Sequence, residues 1–144
     1  YASKYGKIYH GELKDINFSN NLLDVIVLHH VIEQVKDPTD LILEIKRILK
    51  NNGHFILGTP DFDSGCARLF KKKYRLLNDQ THVSLFSNYS MHRFLRDFGF
   101  NIEYVDYPFF NTNYFTNDNL AALFDLDKVS PPFYGNFMTF YVQK

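Results

Sequence analysis

The sequence predicts an α/β fold with a largely parallel sheet, on three observations. Two near-continuous apolar runs, residues 22–28 (LLDVIVL) and 54–59 (HFILGT), have the length and character of strands buried on both faces. Between them lies a segment whose apolar residues recur at helical spacing. The last two strand-like runs, 101–107 and 136–143, are joined without a clean crossover helix, so they are expected to pair antiparallel at one edge.

The elements follow in order. Residues 7–10 read as a short strand, closed by the turn-like Gly11. The strand at 22–28 leads into a loop or short helical turn over 29–35. Asp37-Pro38-Thr39-Asp40 then opens a helix, with Pro38 at its first position and Asp37 as its N-cap. Leu41, Ile45, Ile48 and Leu49 form one apolar stripe, and Asn51-Asn52-Gly53 tolerates the left-handed backbone expected at its end. The strand at 54–59 stops at Pro60. The looser stretch 61–86 is expected to hold a short helix over 67–73. Ser87 caps a helix that places Met91, Phe94, Leu95 and Phe98 on one face, with Gly99 as terminator. Thr116 caps a short helix over 117–126, and Pro131, Pro132 and Gly135 break the chain before the last strand. Neither repeat nor linker interrupts the pattern, which suggests one domain over 1–144.

Composition narrows the function classes. Apolar residues make up 45% and charged residues 22% of 144, a globular balance rather than a disordered one. Lysine plus arginine equals aspartate plus glutamate at 16 each, which gives no electrostatic argument for nucleic acid or an anionic membrane. Lys71, Lys72, Lys73 and Arg75 form the one dense basic run, read as a solvated helix end. A lone cysteine, Cys66, precludes an intrachain disulfide and reads as a packing residue. No apolar run approaches the ~20 residues of a membrane span. A cytoplasmic protein is expected.

The order and spacing of several short motifs carry a resemblance. Asp24-Val25-Ile26-Val27-Leu28 is followed by His29-His30-Val31-Ile32-Glu33-Gln34-Val35, then Asp37-Pro38, Leu49-Lys50-Asn51-Asn52-Gly53 and Gly58-Thr59-Pro60. His10-Gly11-Glu12 precedes the set, and Thr81-His82-Val83-Ser84 and Phe98-Gly99-Phe100 follow it. This series resembles the class I S-adenosylmethionine (SAM)-dependent methyltransferases of the type 11 and type 23 families. It departs from them at Gln34, where the family usually has histidine.

The resemblance implies a Rossmann-like sheet of order 3-2-1-4-5-7-6, with residues 7–10 as strand three and 22–28 as strand four. It also implies that the chain corresponds to the C-terminal two-thirds of that fold. The glycine-rich SAM loop and the acidic residue that holds the ribose would then lie before Tyr1. On that reading strand three lacks its neighbour, and the edge of strand four is open to pairing with a second copy. A homodimer is therefore expected.

For function, the resemblance implies a SAM-dependent methyltransferase acting on a small-molecule acceptor such as a sugar or a quinone precursor, with oxygen as the acceptor atom. Glu12 and Leu13 match the adenine-contacting pair, and Leu28 and His29 border the sulfonium side of SAM. His29, His30 and His82 are candidates for the base that takes a proton from the acceptor, because imidazole titrates near neutrality. The plainer reading of each is a structural histidine. No metal is expected. In the similar quinone O-methyltransferases several acidic residues and a histidine hold a divalent ion, and only Glu33 of that set is present. Glu33 is read as structural, bonding backbone N–H groups at the helix start. The aromatic-rich stretches 61–86 and 107–115 lie where such enzymes place acceptor-binding elements. A non-catalytic methyltransferase-like domain, or a nucleotide-binding oxidoreductase of similar fold, are the alternatives.

Overall fold

Which strands find partners decides the architecture. In a computed structural model, which describes residues 4, 6–108, 110, 112–132 and 136–144, four strands form one sheet: β1 (Leu23–His29), β2 (Leu49–Pro60), β3 (Asn101–Asp106) and β4 (Phe137–Gln143). Their order is β1-β2-β4-β3. β1 and β2 are parallel, and β4 runs antiparallel to both β2 and β3. The last two strands thus pair antiparallel at one end of the sheet, as the sequence suggests, with β4 inserted between β2 and β3.

The helices begin and end where their terminal groups find partners. In α1 (Pro38–Ile48) the Asp37 carboxylate accepts from the backbone N–H groups of Thr39 and Asp40, at 3.0 and 3.1 Å. α2 (Gly65–Phe70) is capped by Ser64, and a single 3-10 turn, Lys71–Lys73, continues it over the expected range. α3 (Asn88–Asp97) starts with a reciprocal Ser87–Ser90 capping box. Gly99, at φ +73°, ends it in a backbone region that a side chain would strain. α4 (Asn117–Ala122) is capped by Thr116 but stops four residues short of the expected end.

Two clusters make the core. Ile42 and Ile45 of α1 and Met91 and Leu95 of α3 pack with Phe55, Leu57, Phe140 and Val142 of the sheet in the main core, and Ile26 and Leu28 of β1 join it. A second cluster unites Cys66, Ala67, Phe70, Tyr74 and Leu76 with Phe62, Leu123 and Phe137.

Three expectations change. First, β1 is not buried on both faces: Val25 is 52% and Val27 61% exposed. Alternate residues of a strand face opposite sides, and the side of β1 that carries Val25 and Val27 is left open among the described residues. Val27, Ile56, Tyr141 and Tyr104 stand in register across all four strands on the other side. Second, residues 7–10 do not form a strand. A strand needs a ladder partner, and β1 pairs only with β2 among the described residues. Third, residues 51–53 do not simply end α1. They form an irregularity inside β2, where the pairing jumps from Leu23↔Leu49 to Val25↔His54 and Asn52 takes φ +62°. Gly135, expected as a chain breaker, lies outside the described residues.

Asp37→Ala leaves two N–H groups at the start of α1 without their cap. It is expected to lower stability by about 1 kcal/mol, read as a fall in the denaturant midpoint at unchanged slope. An unchanged midpoint would show that the cap contributes nothing.

Candidate functional site

A groove of about 750 Å³ lies between the segment that precedes β1, the carboxyl half of β1 and α1. That volume is within the range of small-molecule sites. Glu12, Leu13 and Leu28 all line it, together with Ile26, Leu41 and Ile45. Gly11 makes the turn into Glu12 at φ +122°, a conformation other residues rarely adopt. Leu13 begins a 3-10 turn, Leu13–Ile16, and packs against the main core.

Arg47 anchors the incoming chain to α1. Its guanidinium donates to the Phe18 carbonyl at 2.7 Å and to both oxygens of Glu44 at 2.7 and 2.6 Å. Those bonds hold the Glu44 carboxyl below its usual range. The Glu12 carboxylate is exposed and, among the described residues, pairs with Lys14 at 2.9 Å through one of its two oxygens. Its acceptor oxygens can therefore be offered to a ligand. Apolar walls from Leu13, Ile26, Leu28 and Leu41, with the carboxylates of Glu12 and Asp40 at the rim, suit a flat heteroaromatic ring bearing an amine.

At the end of β1 two histidines meet. Their rings lie edge to face with centroids 4.4 Å apart, and the ring of Phe137 stands 4.9 Å from His30. His29 pairs with Gly58 across the ladder, and a Cβ added at Gly58 would stand 2.5 Å from the His29 ring, so glycine there is what admits the imidazole. Burial, then the neighbouring His30, lower the His29 pKa against the pull of Glu33, so this imidazole favours its neutral form. His30 turns out of the strand at φ +54°, a rare conformation for a residue with a side chain and a frequent one at functional sites. Its backbone N–H donates to the Gly58 carbonyl at 2.9 Å.

Behind His30 sits Glu33, fully buried. Its carboxylate bonds the His30 Nδ1 at 3.2 Å and accepts from the Thr59 hydroxyl at 3.0 Å. Burial alone would raise its pKa, but the bonds from His30, its own backbone N–H and Thr59 outweigh burial and lower it. Glu33 therefore does not bond the start of α1, as the sequence suggested; Asp37 performs that task. The Glu33 carbonyl also accepts from the backbone N–H groups of Val83 and Ser84, at 2.8 and 3.0 Å.

The other candidates are placed as follows. His82 has a side chain only 7% exposed. Its Nδ1 bonds the Leu76 carbonyl at 2.8 Å, its Nε2 stands 3.8 Å from Asp79, and its ring packs on Phe62. Such an arrangement holds the 76–82 loop together and is separate from the paired histidines. Phe62, Phe70 and Tyr74 of the 61–86 stretch fill the second core cluster. Of the stretch 107–115, residues 109 and 111 lie outside the described ones; Tyr107 bonds Asn88, and Phe110 packs on Phe115. Lys73 of the basic run donates to the carbonyls of Leu126 and Asp127. Cys66 is buried, and burial pushes its thiol pKa up, which suits packing rather than reactivity. Among the described residues no group of three or more His, Cys, Asp or Glu is placed to hold a metal ion, and no helix is long and apolar enough to cross a membrane.

Gly58 and Thr59, which the sequence offers only as part of a motif, stand against His29 and Glu33. The available signal was a hydroxyl in an apolar strand, since a buried Thr must find a polar partner.

Residues 5–105 match the family described as methyltransferase domain. An uncharacterized methyltransferase of Schizosaccharomyces pombe is 28% identical over 99 residues, 66% of this chain and 35% of that protein. An uncharacterized protein of Methanocaldococcus jannaschii is 27% identical over 100 residues, 69% of this chain and 49% of that protein. The chain thus spans about a third to a half of the curated relatives it matches. Among solved structures, a SAM-dependent methyltransferase of Thermotoga maritima, described as a possible histamine N-methyltransferase, superposes with TM-score 0.68 at 21% identity, covering 93% of this chain and 62% of that one. A methyltransferase of Haloferax volcanii, solved in complex with the Trm112 methyltransferase activator, gives 0.67 at 16%, covering 99% and 65%. At these identities the structures show a shared fold, a Rossmann-like methyltransferase sheet.

Thr59→Val removes one donor from a buried carboxylate and is expected to cost about 1.5–3 kcal/mol in chemical denaturation. The bonds to Glu33 contribute stability that is complete above the ordinary glutamate value of 4.5 and is lost as the pH falls through its lower folded-state value. In Glu33→Gln this acid-side loss should be shallower; an unaltered pH dependence would show that Glu33 is not ionised in the fold.

Proposed function

The chain belongs to the methyltransferase-domain family, and from that membership we propose that the intact protein is a SAM-dependent methyltransferase acting on a small-molecule acceptor, with oxygen as the acceptor atom. The observation that carries the reading is the convergence of Glu12, Leu13 and Leu28 on one groove, with His29 and His30 at the end of the strand that forms its wall. In open α/β sheets ligands bind beyond the carboxyl ends of strands, and the position of His29 and His30 at that end of β1 supports the reading.

The residues fit the cofactor. Glu12 would accept from the adenine amine, the Leu13 backbone N–H would donate to the ring, and Leu28 and His29 would border the sulfonium. SAM supplies a methyl group already activated by positive charge. The protein's remaining tasks are to align the acceptor, exclude water and receive its proton. A neutral imidazole at His29 or His30 is chemically suited to the last task. The enclosed, bonded ring of His82 is better suited to positioning the loop. For the self-association read from the sequence, we propose the edge of β1 that has no strand partner among the described residues.

Titration calorimetry of the intact protein with S-adenosylhomocysteine should give 1:1 binding, weakened about tenfold or more by Glu12→Ala, the loss expected for a charge-assisted hydrogen bond. Absence of heat from folded protein would defeat the cofactor assignment. Val27→Lys should lower the mass seen by light scattering at high concentration. An unchanged mass would exclude the β1 edge as the contact.

A further inference from the structure

Glu33 is fully buried, while the His30 ring that it bonds is 38% exposed. A buried carboxylate bonded to one nitrogen of a reachable imidazole has a definite chemical consequence. An ionised carboxylate can only accept hydrogen bonds. Thr59 Oγ1 donates to one Glu33 oxygen, so Nδ1 of His30 must donate to the other. In a neutral imidazole the proton then sits on Nδ1, and Nε2 keeps its lone pair.

We propose that Glu33, held by Thr59, is a positioning residue that fixes His30 as the Nδ1–H tautomer, so that Nε2 of His30 is the atom that takes the acceptor's proton. In that transfer the acceptor's O–H or N–H bond breaks, its electron pair stays on the acceptor atom, and a new N–H bond forms at Nε2. The imidazolium so formed faces the Glu33 carboxylate at Nδ1, which compensates its charge. The role in methyl transfer rests on the function proposed above; the tautomer does not.

The surroundings of His30 favour it over the other two histidines. From β1 it meets the His29 ring, from β4 the Phe137 ring, and from the 3-10 turn Ile32–Gln34 it meets Glu33, with the Gln34 amide donating to its carbonyl at 3.3 Å. Among the described residues Glu33 is the one carboxylate bonded to its ring. A second imidazolium beside it would oppose protonation, and the depressed pKa of His29 keeps that neighbour neutral. The His30 backbone is set by its left-handed φ and by the N–H bond to Gly58, so ring and main chain are both held. His82, in contrast, has one ring nitrogen on a carbonyl and the other beside Asp79.

The test is a two-bond proton–nitrogen correlation spectrum of the chain labelled with 15N-histidine, recorded above neutrality, with His30→Asn to assign the signal. The wild type should show His30 with a protonated Nδ1 and an unprotonated Nε2. Folded Glu33→Gln should shift that signal toward the other tautomer or a mixture. In the intact enzyme the same substitution should lower kcat about 10–100-fold with little change in the KM for SAM. A wild-type His30 protonated on Nε2 overturns the proposal even if Glu33→Gln does not fold, and so does an unaltered His30 signal in folded Glu33→Gln. S-adenosylhomocysteine binding with His30 protonated on Nε2 overturns this pair alone. No such binding with the Nδ1–H tautomer in place overturns the methyltransferase reading and removes the catalytic role with it.

Discussion

The need to satisfy one buried carboxylate organises the site. Glu33 is removed from water, and an ionised carboxylate in that position is tolerated only when its oxygens are bonded. Its partners come from separate places: His30 from the end of β1 and Thr59 from β2. Its carbonyl adds the segment at Val83 and Ser84. Three pieces of chain distant in sequence, 30–33, 59 and 83–84, are thereby brought to one point. The strained backbone of His30 persists there because the surrounding bonds over-determine it.

The groove is built by different means. Glu12 and Leu13 stand on a segment with no strand pairing, so their position depends on Arg47, which fastens the preceding loop to α1, and on Leu13 packing into the core. One side of the site is therefore rigid, made of strand ends and buried bonds. The other is a loop held by a few contacts and is the side expected to adjust when a ligand enters.

Much of this was legible in the sequence, and the reasons are local. Asp37 before Pro38, Ser87 before an amphipathic stripe and Gly99 after it announce helix boundaries through backbone chemistry that no tertiary contact overrides. The pairing of Glu12 and Leu13 with Leu28 was legible only through resemblance, since no periodicity links residues on separate elements. The errors concern what neighbours supply. An apolar run looks the same whether one or both of its faces are covered, so Val25 and Val27 were read as buried. Residues 7–10 have strand-like character but no described partner. Glu33 was misread because its partners, Thr59 and the turned-out His30, are defined by the fold and not by spacing along a helix.

The close approach of Gly58 to the His29 ring ties two positions 29 residues apart into one steric unit. Any side chain at 58 enters the volume the imidazole now occupies, and any change at 29 that removes the ring uncovers β2 at Gly58. Substitutions at the two positions are consequently non-additive. Among relatives that keep this strand pairing, a bulkier residue at 58 should appear only in company with a smaller or differently directed one at 29. Glycine at this point is a historical lock on the paired-histidine arrangement: the imidazole can be lost without disturbing it, but cannot be regained once the space has been filled.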